Sequence, residues 1–141
     1  MTTQNQPPVE LHPYEVWLTT QLQKANKILA EQGVIAANTV LSQCRYMAPA
    51  AAVWLIEGAN RRHYWVITGE IPTDILAADA AKNAREAMRS FHMRWQLRAE
   101  QIMQAKPTDE SRKMATILVE SAEVLFKLAE NDSLWQEEPQ H

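Results

Sequence analysis

Apolar positions along this chain change rhythm from helical spacing to alternation and back, and those changes divide it into elements. Tyr14, Leu18, Leu22, Ala25 and Leu29 recur at steps of three and four residues, which places them on one helical face. Trp17 and Ile28 widen that face, Pro13 suits a first turn and Gly33 a stop, so a helix is predicted over residues 13–32. Residues 34–49 have no clear period. Thr39 to Ser42 reads as a helical turn or an irregular crossing, and Arg45-Tyr46-Met47 can begin a strand that Pro49 would mark as an edge or bulge.

Alternation takes over at Ala50. Ala50, Ala52, Trp54 and Ile56 share one face of a strand, and Ala51, Val53 and Leu55 the other. Gly58 to Arg62 has the composition of a hairpin loop, and the return strand sets His63, Trp65 and Ile67 against Tyr64 and Val66. Both faces are apolar. A lone hairpin is marginal in water, so this one has to be covered by helices, another chain, or both.

Gly69-Glu70-Ile71-Pro72-Thr73-Asp74 then turns the chain, with Thr73 or Asp74 expected to cap a first helical turn. A second helix is predicted from about Asp79 to Ala105, its stripe being Ala77, Ala81, Ala84, Met88, Phe91, Trp95, Ala99 and Ile102. Lys106-Pro107 ends it, and Thr108 caps a third helix running to about Glu130. The main face of that helix is Met114, Ile117, Leu118, Ser121, Val124, Leu125 and Leu128, beside a second strip of Ala115, Ala122, Phe126 and Ala129. Apolar width of that order predicts burial on two sides. The expectation is an α+β fold in the order α-β-β-α-α, an antiparallel β-hairpin packed against three helices. It occupies residues 13–131 as one domain, between a flexible tail at 1–12 and an acidic tail at 132–141 in which Leu134 and Trp135 are expected to dock.

Composition narrows the function classes. A chain of 141 residues can bury roughly two-thirds of its unfolded surface, enough for one core without cross-links. The formal net charge of −3 gives no bulk attraction to nucleic acid or anionic lipid, so nucleic-acid binding is the weaker alternative. One cysteine, Cys44, leaves no internal disulfide and no cysteine-based zinc cluster. MTTQNQPPVE lacks a basic region followed by an apolar run, and no apolar stretch approaches the roughly 20 residues of a membrane span. A cytoplasmic protein without a membrane partner is expected.

Few residues carry candidate chemistry. Arg85, Arg89, His92 and Gln96 fall at intervals of four, three and four on the second helix, and the hairpin loop adds Arg61, Arg62 and His63. Packed together, Arg61, Arg62, His63, Arg85, Arg89 and His92 could converge on a carboxylate or phosphate. The plainer reading is a solvated flank paired with Glu86, Glu100 or the acidic third helix, since such surface pairs are routine. His12, His63, His92 and His141 lack metal-ligand spacing, and no metal or cofactor is assigned. Cys44 beside Arg45 reads as a buried structural thiol rather than a nucleophile. Trp54, Trp65 and Tyr64 beside Arg61 and Arg62 read as cross-strand core pairs rather than a nucleic-acid surface.

The segments YMAPAAAVWLIE, HYWVITGEIPTD and AREAMRSFHMRWQLRAE resemble a family of small uncharacterised bacterial proteins, classed as a domain of unknown function. The resemblance covers residues 14–104, most specifically YWVITGEIPTD and the arginine- and tryptophan-bearing helix. It implies one compact domain in the bacterial cytosol and transfers no activity, cofactor or site residue. The leading expectation is therefore a non-catalytic protein that acts by homo-oligomerisation or by binding a protein partner. The motive is apolar surplus on the strands, on the third helix, and at Met93 and Leu97. The alternative is an anion-binding protein or enzyme using the Arg/His cluster.

Overall fold

The computed structural model describes residues 12–136. All but His12 of the predicted N-terminal tail, and residues 137–141 of the predicted acidic tail, lie outside the described residues. In chain order the elements are helix α1 (Pro13–Glu31), strands β1 (Ala36–Thr39), β2 (Arg45–Met47), β3 (Ala51–Gly58), β4 (His63–Gly69) and β5 (Asp74–Ala77), then helices α2 (Ala84–Gln104) and α3 (Asp109–Ala129). Short 3-10 turns lie at Leu41–Gln43, Ala78–Ala80 and Asp132–Leu134. The fold is α+β, with helix, strands and two helices in that order. The antiparallel sheet has five strands where the alternation predicted two.

The predicted hairpin is the centre of that sheet. Strands β3 and β4 pair from Ala51 opposite Gly69 to Glu57 opposite His63. Strand β5 pairs with the far side of β4, from Ile67 opposite Asp74 to Tyr64 opposite Ala77. The far side of β3 is shared: β1 pairs with Ile56–Gly58 and β2 with Ala51–Val53. The stretch at 34–49 without a clear period is two short strands joined by a 3-10 turn at Leu41–Gln43. The second, β2, falls on Arg45–Met47, where a strand start is expected, and each is held by the ladder β3 offers.

Each face of the hairpin has its own helical cover. Ala52, Trp54, Ile56 and Val66 are buried against Ala25 and Leu29 of α1. On the opposite face Ala51, Val53, Trp65 and Ile67 are buried with Phe91 and Trp95 of α2 and with α3. Helices of the chain itself therefore shield both faces, and the apolar surplus predicted for the strands is consumed internally. Surplus persists on the helices. Along α3 the buried positions are Ala115, Leu118, Ser121, Ala122, Leu125 and Ala129, whereas Met114, Ile117, Val124, Val119 and Phe126 are exposed. Its covered sector lies between the two predicted strips, leaving one apolar flank open on each side.

Helix α2 starts five residues later than the spacing predicts. Asp74 to Ala77 add to the sheet instead of coiling, and the 3-10 turn after them is pinned by Trp65, whose indole N–H donates to the carbonyls of Ala78 and Ala81 at 3.2 and 3.1 Å. Asn83, not Thr73 or Asp74, is the cap: its Oδ1 accepts from the Glu86 N–H at 2.9 Å, and Glu86 Oε2 accepts from the Lys82 N–H at 3.0 Å. Thr108 caps α3 as predicted, accepting from the Ser111 N–H at 3.1 Å.

Asp74 has a different task. Its Oδ2 accepts the indole N–H of Trp95 at 2.9 Å, and its Oδ1 accepts the amide of Ile75 at 2.8 Å. Arg94 reaches across from α2 to donate to the Ile75 carbonyl at 2.9 Å. On this edge strand both backbone groups of Ile75 are therefore taken up by side chains.

Two positions make the energetics testable. Gly69 sits at φ 139°, and a Cβ there would run into the carbonyl oxygen of Ala50. Gly69→Ala should therefore lower the unfolding free energy by about 3 kcal/mol, from backbone strain plus overpacking. Gln21 is buried on the inner face of α1, and its Oε1 has no hydrogen-bond partner among the described residues. An unpaired buried carbonyl costs free energy, so Gln21→Met should raise stability by about 1 kcal/mol. Urea denaturation of the two variants checks both signs, and a destabilised Gln21→Met would mean the amide has an unrecognised role.

Candidate functional site

The predicted Arg/His stripe of α2 lies in the seam between α2 and the C-terminal end of α3. Arg85 Nε donates to the Ala129 carbonyl at 2.7 Å, and its Nη2 pairs with Asp132 at 2.6 Å. Ala129 closes α3, so Arg85 places a cation on a helix terminus that carries partial negative charge and unpaired carbonyls. Arg89 makes a two-pronged contact with Glu130, Nε to Oε1 at 2.7 Å and Nη2 to Oε2 at 3.3 Å. His92 Nδ1 lies 2.7 Å from the Ala122 carbonyl. A carbonyl oxygen only accepts, so Nδ1 carries the proton. The ring packs 5.4 Å from Phe126.

These contacts shift charge equilibria in consistent directions. The bond from Arg89 holds the Glu130 carboxyl below the usual range, and Arg85 does the same for Asp132. The Glu130 carboxylate in turn raises the Arg89 guanidinium. Asp132–Leu134 forms a 3-10 turn that brings Trp135 back over the helices. Trp135 donates to the Leu128 carbonyl at 3.0 Å, with the Arg85 guanidinium 5.9 Å from its ring centroid. The stripe acts as a clamp between α2 and the end of α3.

The hairpin residues do not join it. Arg61, Arg62 and His63 are exposed at the β3–β4 turn. Arg61 adopts φ 67°, and the Arg62 amide donates to Asn60 Oδ1 at 3.0 Å. Among the described residues neither a hydrogen bond nor an ion pair links them to Arg85, Arg89 or His92, whose bonds all run to α3 and the turn beyond it. The six residues form two separate groups. No cluster of three or more histidine, cysteine or acidic residues is placed to hold a metal among the described residues.

Cys44 is buried, with its amide neighbour Leu55 N–H at 3.5 Å and its thiol donating to the Val40 carbonyl at 3.3 Å. Burial pushes the thiol above its ordinary pKa, against smaller lowering effects that include Arg45. Tyr46, packed 5.0 Å from Trp54, is pushed up to about 12 by burial. Both groups stay protonated near neutrality.

What the α2–α3 seam leaves open is apolar. On the face turned away from the sheet a groove of about 770 Å³ runs between the helices. Ala99 and Ala115 form its floor, Met103 and Val119 stand at its sides, and Glu100 and Glu120 are its charged members. A second, smaller cavity of about 220 Å³ lies in the same seam, between Met93, Phe126 and the Arg89–Glu130 pair. Met93 is 65%, Met103 51%, Val119 51% and Phe126 52% exposed. Spacing exposed Met93, Leu97 and the Phe126 strip but missed Met103 and Val119. The signal existed: Gln96 and Met103, like Val119 and Phe126, are seven residues apart, two turns on one face.

The described elements from α1 to the turn after α3 coincide with a family model, the Domain of unknown function (DUF4826), which matches residues 13–135. The chain belongs to that family. No curated protein and no solved structure matches it. Membership brings no residue roles, so the seam has to be read from its own chemistry. The two segments that carry the family resemblance meet at the Asp74–Trp95 hydrogen bond.

The clamp makes a pH prediction. Glu130 and Asp132 have depressed folded-state pKa values, so their contribution is complete above the ordinary carboxylate range and is lost as pH falls through the folded values. The Arg85 bond to the Ala129 carbonyl involves no carboxylate. Arg85→Ala should cost about 1–2 kcal/mol at neutral pH, and Asp132→Ala, an exposed partner, much less. Denaturation at neutral pH and at steps of increasing acidity checks this: the small effect of Asp132→Ala should shrink as pH falls through the folded value, while Arg85→Ala keeps most of its own.

Proposed function

We propose that the protein is a non-catalytic interaction protein of the bacterial cytoplasm whose working surface is the α2–α3 face turned away from the sheet. The observation that carries this reading is the set of exposed apolar residues along the α2–α3 seam: Met103 and Val119 beside the groove with an alanine floor, and Met93 and Phe126 beside the smaller cavity. Large apolar side chains standing open along one helix–helix seam of a small domain are the composition of a protein-binding surface. Its partner is a protein, either a second copy or another chain. The placement in the cytoplasm draws on the buried, free thiol of Cys44 and on the absence, among the described residues, of a helix long and apolar enough to cross a membrane.

The Arg/His cluster supports this reading rather than a ligand site. Arg85 and Arg89 already have carboxylate partners, and His92 is bound to a backbone carbonyl. Their effect is to hold the two helices in register, which keeps the groove between them at a fixed width.

Light scattering at micromolar concentration, paired with binding of an apolar fluorescent dye, tests the proposal. Expected is either self-association or a dye-binding monomer, with the signal falling at least severalfold in Phe126→Glu and Val119→Glu. A monomer whose dye binding is unchanged in both variants would overturn it.

A further inference from the structure

Resting on the interaction-surface reading above, we infer that the occupant of the α2–α3 groove is an amphipathic helix of a partner protein, with basic residues flanking its apolar stripe. The first argument is shape. The groove lies between two helices joined by a short turn, and its floor is made of Ala99 and Ala115, which are almost fully buried. Small residues at the floor let a third helix approach closely, while Met103 and Val119 stand up on either side to meet its apolar stripe. From Arg89 to Met103 the seam spans fourteen residue steps, about 21 Å at the helical rise, which matches a helix of about 14 residues. Methionine, which repacks at small cost, suits a surface that receives such a helix.

Charge supplies the second argument and names the partner's flanks. The groove's charged lining residues are Glu100 on α2 and Glu120 on α3, one on each wall, and both are exposed. Neither has an ion-pair partner among the described residues, whereas Arg89, Arg112 and Lys127 nearby are already paired with Glu130, Asp109 and Glu123. Two open carboxylates on opposite walls favour lysine or arginine on both sides of an incoming stripe. They also disfavour a second copy in this groove. Two-fold pairing centred on this groove would set its acidic lining against itself, and like charges brought together across an interface are costly.

The test uses two synthetic helical peptides with one shared leucine stripe, one flanked by lysines and one by glutamates, followed by fluorescence anisotropy on the full chain at low salt. The lysine-flanked peptide should bind about tenfold tighter than the other, and raised salt should erase most of that difference. Glu100→Lys with Glu120→Lys should reverse the preference, and Val119→Asp should abolish binding while the circular-dichroism melt stays unchanged. Equal binding of the two peptides, or a preference indifferent to charge reversal, overturns the inference. If self-association through Val119 excludes both peptides, the basic helix is wrong and the interaction surface stands. If Val119→Asp alters neither peptide binding nor self-association, both readings fall together.

Discussion

The fold depends on one constraint: the β3–β4 ladder is apolar on both sides. Val53, Trp65 and Ile67 look one way, and Trp54, Ile56 and Val66 the other, all essentially shut off from solvent. A two-stranded ribbon with that character needs a layer above and a layer below. Helix α1 supplies one, and the α2–α3 pair the other. The indole N–H groups inside these layers all find acceptors that fix a neighbouring segment: Trp54 binds Thr68, Trp65 holds the 3-10 turn before α2, and Trp95 binds Asp74. Burying tryptophan is thereby made to specify geometry as well as to remove apolar area from water.

Because α2 alone spans most of its face of the sheet, α3 is left to pack mainly against α2. That explains its exposed flanks. A helix covered on one sector needs a stripe of about 100°, and α3 carries apolar residues well beyond it on both sides. The clamp of Arg85, Arg89 and His92 adds polar bonds to that packing, from Ala122 to the end of α3 and the residues beyond it. The groove on the outer face is what the two packed helices leave open between them.

The parts legible in the sequence are those whose identity is local. Alternation separated Ala52, Trp54 and Ile56 from Ala51, Val53 and Leu55, and Trp65 and Ile67 from Tyr64 and Val66, as the paired strands do, and helical spacing placed Met88, Phe91 and Trp95 on the buried side of α2. Of the short strands, β2 falls on Arg45–Met47, where a strand start was legible, whereas β1 and β5 were hidden because four residues hold too little pattern; all three are strands through their neighbours' ladders. Asp74 illustrates this: its carboxylate could cap a helix, and the tertiary bond to Trp95 captured it for the sheet instead. At the seam, the spacing of Arg85, Arg89 and His92 was visible, but their partners were not. The carbonyls of Ala122 and Ala129 have no sequence signature, and Asp132 lies 47 residues from Arg85.

The sealing of Ile75 has a consequence for how this molecule can meet others. The last strand of a sheet ordinarily presents an open row of amides and carbonyls that invites another strand to zip on. Here an aspartate and an arginine occupy that place at Ile75, in the manner of a bolt across a door. A strand arriving at this point of the border would first have to displace both side chains, so β5 is a poorer template for further pairing than its edge position alone implies.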